Sequence, residues 1–304
     1  MSSAIEVHGL FKSYDDVQAV RGIDLSVPAG EVFALLGPNG AGKTTTVEIL
    51  EGYRDRDGGD VSVLGYDPAK GGRALKSNIG IVLQSTGIDP FLTVAETIEL
   101  YRGFYPHPRP LHEVIEVVGL RGKRDVRVLK LSGGQQRRLD VAIALAGDPA
   151  LLFLDEPTTG FDPAARRGAW EIVKNLASLG KTIFLTTHYM DEAQYLAHDV
   201  AIIADGRILA QGPPSSLAGR DTAATTIRFL LTPGVLELPE GLRAAAATGE
   251  DGFVTITTED PTRALHELTG WALERGEALS ALEVSRPSLE DVYLQITGGA
   301  GGTE

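Results

Sequence analysis

The sequence contains no cysteine. That excludes a disulfide framework and every thiolate zinc or iron–sulfur site, and it leaves the redox compartment open. No apolar run approaches the roughly 18–20 residues that span a bilayer. The opening MSSAIEVHGLFKSYDD meets acidic residues before any apolar stretch, so no signal peptide is expected and the chain is read as cytosolic or peripheral. Basic residues are scarce: 28 Lys and Arg stand against 41 Asp and Glu, a net charge of −13. A general nucleic-acid binder needs a basic face and is not expected. The deficit is uneven, with net −4 over residues 1–220 and −9 over 221–304. What remains is ordinary: 304 residues, 43% hydrophobic and 23% charged. Intrinsic disorder and a collagen-like fibre are excluded, and the length suits two domains.

Short apolar runs at 31–36, 79–83, 150–154, 182–186 and 200–204 suit strands buried on both faces, hence a parallel sheet. Helix-like stretches at 43–51, 94–103, 133–146, 164–179 and 189–197 alternate with them. Such alternation marks an α/β domain. Residues 211–224, QGPPSSLAGRDTAA, read as a connecting stretch. Beyond it, strand patterns at 225–231, 252–258 and 279–284 and helical patterns at 261–275 and 287–297 predict a small α+β module. The expected division is a nucleotide-binding domain over 1–215 with a helical subdomain at about 85–148, a linker over 216–224, an accessory domain over 225–298 and a disordered tail over 299–304.

Residues 37–44, GPNGAGKT, match G-x-x-x-x-G-K-[ST] between a strand and a helix. The glycines let the backbone wind tightly, so that successive N–H groups point inward at phosphates, aided by the helix N-terminus. Lys43 is expected to reach the β- and γ-phosphates and the Thr44 hydroxyl to hold Mg²⁺. LLFLDE over 151–156 reads as a strand that ends in two carboxylates, at the sheet edge where α/β ligands bind. Asp155 is expected on the Mg²⁺ side, and Glu156 as a general base for water. Alone, two acids after a strand are equally a solvated loop; the phosphate loop in the same domain favours the chemistry. His188 in FLTTHYMDE and Gln84 after IGIVL also end strands, and taken singly each has an ordinary structural reading.

The stretch 131–135, LSGGQ, opens a helix about 20 residues before LLFLDEP and resembles the signature motif of ATP-binding-cassette (ABC) proteins. Six motifs then resemble that family in order and spacing across residues 4 to about 215. They are the Walker A loop 37–45, the Q-loop Gln84, LSGGQ, the Walker B strand ending at Asp155 and Glu156, the D-loop TTGFDP with Asp162, and the switch His188. One departure is Phe161, where leucine is commoner in the family.

The resemblance implies a P-loop ATPase of the cassette type, with a mostly parallel sheet core and a helical subdomain. ATP would lie on Gly37, Pro38, Asn39, Gly40, Ala41, Gly42, Lys43, Thr44 and Thr45, with Tyr14 stacked on adenine. Mg²⁺ would be held by Thr44, Gln84 and Asp155, and the catalytic set would be Glu156, His188, Gln84 and Asp162. Ser132, Gly133, Gly134 and Gln135 would cap the nucleotide of a second cassette, so two chains would close head to tail on two ATP molecules, as a homodimer.

The same resemblance implies an integral-membrane permease on a separate chain, docking near residues 84–105, and a peripheral place on the cytoplasmic face of the bacterial plasma membrane. GYRDRDGGDVSVLGYDP and the closing RPSLEDVYLQITG resemble ATPase subunits of the bacterial daunorubicin-type exporters. Export of a drug, antibiotic or lipid-like substrate is therefore expected. An importer ATPase working with a binding protein stays open, as does a soluble ABC ATPase acting on DNA or ribosomes. The C-terminal module carries no motif of its own. Leu289, Val292, Tyr293 and Ile296 form one helical face that could brace a dimer or simply pack a core.

Overall fold

The structure, a computed structural model, describes residues 3–83, 87–220, 222–231, 238–249 and 251–298. The chain divides into two compact units, Met1–Pro214 and Ser215–Glu304.

The first unit opens with two long strands, β1 (Ser3–Tyr14) and β2 (Val17–Pro28), followed by β3 (Val32–Leu36) and α1 (Lys43–Leu50). Next come β4 (Gly58–Val63), α2 (Gly72–Lys76) and β5 (Ile79–Val82). Three helices follow, α3 (Val94–Arg102), α4 (Leu111–Val117) and α5 (Gly133–Leu145). Alternation then resumes with β6 (Leu151–Asp155), α6 (Pro163–Ser178), β7 (Thr182–Thr187), α7 (Met190–Leu196), β8 (Asp199–Ala204) and β9 (Arg207–Gly212). The Gly- and Pro-rich stretch 211–224 thus begins two residues inside β9.

The main sheet runs β5-β6-β7-β3-β8-β9, parallel except for the antiparallel edge strand β9. Its interior strands are continuous apolar runs because both of its faces are covered, as the sequence pattern predicts. All five residues of β3 are buried. A smaller antiparallel sheet, β2-β1-β4, packs against it, and the core between them holds Val7, Leu25, Phe33, Leu35, Leu50 and Phe153. The Phe33 and Phe184 rings stack at 5.3 Å within that core.

Helix starts are fixed by local chemistry. Thr93 caps α3 in a reciprocal box with Glu96, and Ser132 does the same for α5 with Gln135. Asp162 caps α6, with Pro163 in the first turn.

The second unit contains β10 (Thr225–Leu230), α8 (Glu240–Arg243), β11 (Ala246–Thr248), β12 (Phe253–Thr258), α9 (Pro261–Arg275), β13 (Ser280–Ser285) and α10 (Leu289–Gly298). Its antiparallel sheet has the order β11-β12-β10-β13. Ile227, Phe229, Val254 and Ile256 pack on Ala264 and Leu268 of α9. Leu289 and Val292 of α10 are buried, whereas Leu294 is exposed. The tail residues 299–304 lie outside the described residues. Among the described residues no helix is long and apolar enough to cross a membrane.

Candidate functional site

The strand order decides which side chains meet. The C-terminal ends of β6, β7 and β3 lie side by side. They bring Asp155 and Glu156, then His188, then the loop Gly37–Gly42 to one edge of the sheet.

Two glycines of that loop are required by contact. A Cβ on Gly37 would stand 2.3 Å from the Ile203 carbonyl oxygen, and one on Gly42, at φ 101°, would stand 2.4 Å from that of Ala19. Gly40 has open space around it, and only its φ of 80° calls for glycine. Gly42 precedes α1 without any side-chain cap, and the first turn of α1 holds no acid. The helix therefore presents its first N–H groups and positive end to the cavity. This cavity of about 450 Å³ is lined by Pro38, Asn39, Gly40, Gly42, Lys43, Thr44, Thr45 and Glu156, with Ala19. Ala41 is buried beneath it.

Lys43 is the buried cation of the site. Its Nζ donates to the carbonyls of Gly37 (2.7 Å) and Pro38 (3.1 Å) and lies 3.7 Å from Glu156 Oε1. Burial pushes its pKa down, and the Glu156 carboxylate opposes the fall. His188 Nδ1 lies 3.4 Å from the same Oε1 without hydrogen-bond alignment, and has no other partner among the described residues. Glu156 thus stands between a lysine and a histidine. Its Oε2 accepts from the Thr159 hydroxyl at 3.1 Å, and its backbone N–H donates to Thr186. Asp155 Oδ1 accepts from the Thr186 hydroxyl at 2.5 Å.

The donor set fits Mg²⁺, which prefers hard oxygens and keeps much of its shell for phosphate and water. Asp155 and the exposed Thr44 supply a carboxylate and a hydroxyl. Among the described residues no three His, Asp or Glu side chains converge on one point.

Other expected residues fall elsewhere. Ser132, Gly134 and Gln135 line a separate cavity of about 440 Å³ between α5 and α6. Gly133 lines another of about 640 Å³, whose wall includes Glu156. None of the four borders the phosphate-loop cavity. Ser132 Oγ accepts from Gln135 N, so the motif begins as a helix cap. Asp162 Oδ1 accepts from the N–H groups of Ala164 (2.9 Å) and Ala165 (2.8 Å) and is likewise a cap. Tyr14 is not part of the cavity wall; Lys12 and Arg54 face its ring. Gln84 lies outside the described residues.

Sequence reasoning missed two buried groups beside the site. Glu192, fully buried, accepts from Thr158 and from Trp170, and burial pushes its carboxyl up. Arg137 reaches from α5 to the backbone around Glu156. No pattern in the sequence marks either, because their partners are distant in the chain.

Residues 20–159 match the ABC transporter family, and residues 225–288 match the C-terminal domain of ABC transporter domain-containing-like proteins. The Nod factor export ATP-binding protein I of Paraburkholderia xenovorans (strain LB400) is 37% identical over 305 residues, covering 97% of each chain. The daunorubicin/doxorubicin resistance ATP-binding protein DrrA of Streptomyces peucetius is 36% identical, covering 97% of this chain and 92% of its own. Among solved structures, cbiO1 of Clostridium perfringens, part of the ABC transporter complex cbiONQ, superposes with a TM-score of 0.63 at 29% identity, over 71% of this chain and 90% of its own. A dimeric ATP-binding cassette bound to ADP and phosphate after hydrolysis shares the fold, with a TM-score of 0.61 at 24% identity over 69% of this chain and 98% of its own.

Proposed function

The chain belongs to the ABC transporter family as an ATP-binding, ATP-hydrolysing subunit, and from that premise we propose that two copies close head to tail on ATP to power export through a separate membrane subunit. The observation that supports this most is the separation of the two nucleotide-binding halves. Lys43 and Thr44 line one cavity while Ser132 and Gly134 line another, and Gly133 reaches only a third that shares Glu156 with the first, an arrangement that supports a site completed by a second copy.

In this reading Gly37, Pro38, Asn39, Gly40, Ala41 and Gly42 wrap the phosphates with backbone N–H groups. Lys43 neutralises their β- and γ-oxygens, and Thr45 closes the cradle. Thr44 and Asp155, with Gln84, would hold Mg²⁺, which would supply charge neutralisation at the phosphate oxygens. Glu156 accepts a proton from the attacking water at its carboxylate, and His188, beside Oε1, keeps that carboxylate turned to the phosphate. Ser132, Gly133, Gly134 and Gln135 of the second copy add donors at the γ-phosphate, with Asp162 at the junction and Tyr14 against adenine. ATP then binds the closed pair better than the open one and shifts that equilibrium, and hydrolysis reverses the shift.

The export direction and a drug- or lipid-like cargo rest on what the relatives are called, since fold and ATPase chemistry do not name a cargo. The membrane subunit docks on the helical part of the first unit, on the cytoplasmic face of the bacterial membrane.

Mixing tests the shared site. Neither Ser132→Ala nor Lys43→Ala chains alone retain slowly released ATP, but a mixed pair contains one site built of unaltered parts and regains it. Failure to regain it on mixing would refute a site built from two chains.

A further inference from the structure

We propose that Arg137 is a positioning residue that sets Glu156 and ties it to the LSGGQ helix. This rests on the reading of Glu156 as the base.

Glu156 is not in a relaxed conformation. Its φ is +44°, in the left-handed region where a side chain is strained. Such a conformation persists only where surrounding contacts over-determine it. Thr186 holds the backbone N–H of Glu156 itself, and one further side chain holds the peptides on either side of it. Arg137, with a side chain 11% exposed, donates through Nη2 to the carbonyl of Asp155 at 3.1 Å and through Nε to that of Pro157 at 3.2 Å. These carbonyls flank Glu156 on either side. Nη1 donates to the carbonyl of Leu83, the residue before Gln84, and lies 3.6 Å from Asp140 Oδ2 on the same helix.

Only a planar guanidinium can serve so many acceptors from one fixed plane; an ammonium is a single point. Arg137 sits five residues beyond Ser132 on α5, whose first turn is locked by the Ser132–Gln135 box. Displacing that helix start therefore pulls on the backbone that aims the base. One side chain joins the motif that acts on the partner's nucleotide to the residue that acts on this chain's own.

The test uses the full chain. Arg137→Lys keeps a cation beside Asp140 but cannot span the carbonyls. Arg137→Gln with Asp140→Asn removes both charges of that pair together and guards against a variant that fails to fold. Each should lower kcat for ATP by about 100-fold, the loss expected when a reacting group is misplaced by about 1 Å, with KM and ATP affinity held. On a Glu156→Gln background neither should lower residual turnover further. Unimpaired kcat in Arg137→Lys, or a fall in ATP affinity that matches the fall in kcat, overturns the proposal. A Glu156→Gln chain that turns over as fast as the unaltered chain removes the base assignment itself. An inactive Glu156→Gln beside a fully active Arg137→Lys removes only the clamp.

Discussion

At the scale of single residues, the site concentrates buried charge, and its groups perturb one another. Glu51, at the end of α1 and 3% exposed, has its carboxyl pushed up to about 8, first by burial and then by the charges of Asp155 and Glu48. The folded chain therefore holds this proton more tightly than the unfolded chain, whose carboxyl titrates at the ordinary 4.5. The contribution is complete below about pH 4.5 and is lost as pH rises toward 8, at about 1.4 kcal/mol per pH unit. Glu51→Gln should flatten that decline in thermal melts without nucleotide or Mg²⁺; an equally steep decline in the variant would assign it to other groups. The residues of the phosphate loop and LSGGQ were legible in the sequence because their chemistry is local and contiguous. Arg137 and Glu192 were not, because burial and hydrogen-bond partners 18 to 54 residues away leave no trace in spacing.

Among the elements, continuous apolar runs revealed β3, β5, β6, β7 and β8 to within a residue or two, since burial on both faces removes polar residues from them. The β2-β1-β4 sheet left no comparable mark. Its strands alternate irregularly, and register shifts break β1 against both neighbours. Short elements such as α2 and α8 are likewise too brief for a helical period to show. Capping gives the D-loop a testable role. Asp162→Ala should cost about 1 kcal/mol of stability by freeing the Ala164 and Ala165 N–H groups, while Asp162→Asn should keep the cap. Urea melts of both variants decide it, and an Asp162→Asn chain as unstable as Asp162→Ala would deny the capping role. Lost turnover in a stable Asp162→Asn chain would show that the carboxylate itself serves the reaction.

As a whole molecule, the chain joins an ATPase unit with exposed apolar side chains to a small acidic unit. Phe91 (69% exposed) and Phe104 (68%) stand out on the helical part, within the stretch expected to meet a membrane subunit. Phe91→Asp with Phe104→Asp should abolish recovery of a polytopic protein when the chain is pulled from its own membranes in mild detergent, and should leave ATP binding intact. Undiminished recovery would place the docking surface elsewhere. The strand order carries one more consequence. β7 lies between β6 and β3, yet it is made after both. On the ribosome, β3 and its phosphate loop must wait through about 145 further residues for the strand that seats Glu156 beside them. A nascent chain arrested before Thr182 has every phosphate-loop residue and both acids but no sheet to join them, so synthesis releases the ATPase all at once rather than by degrees.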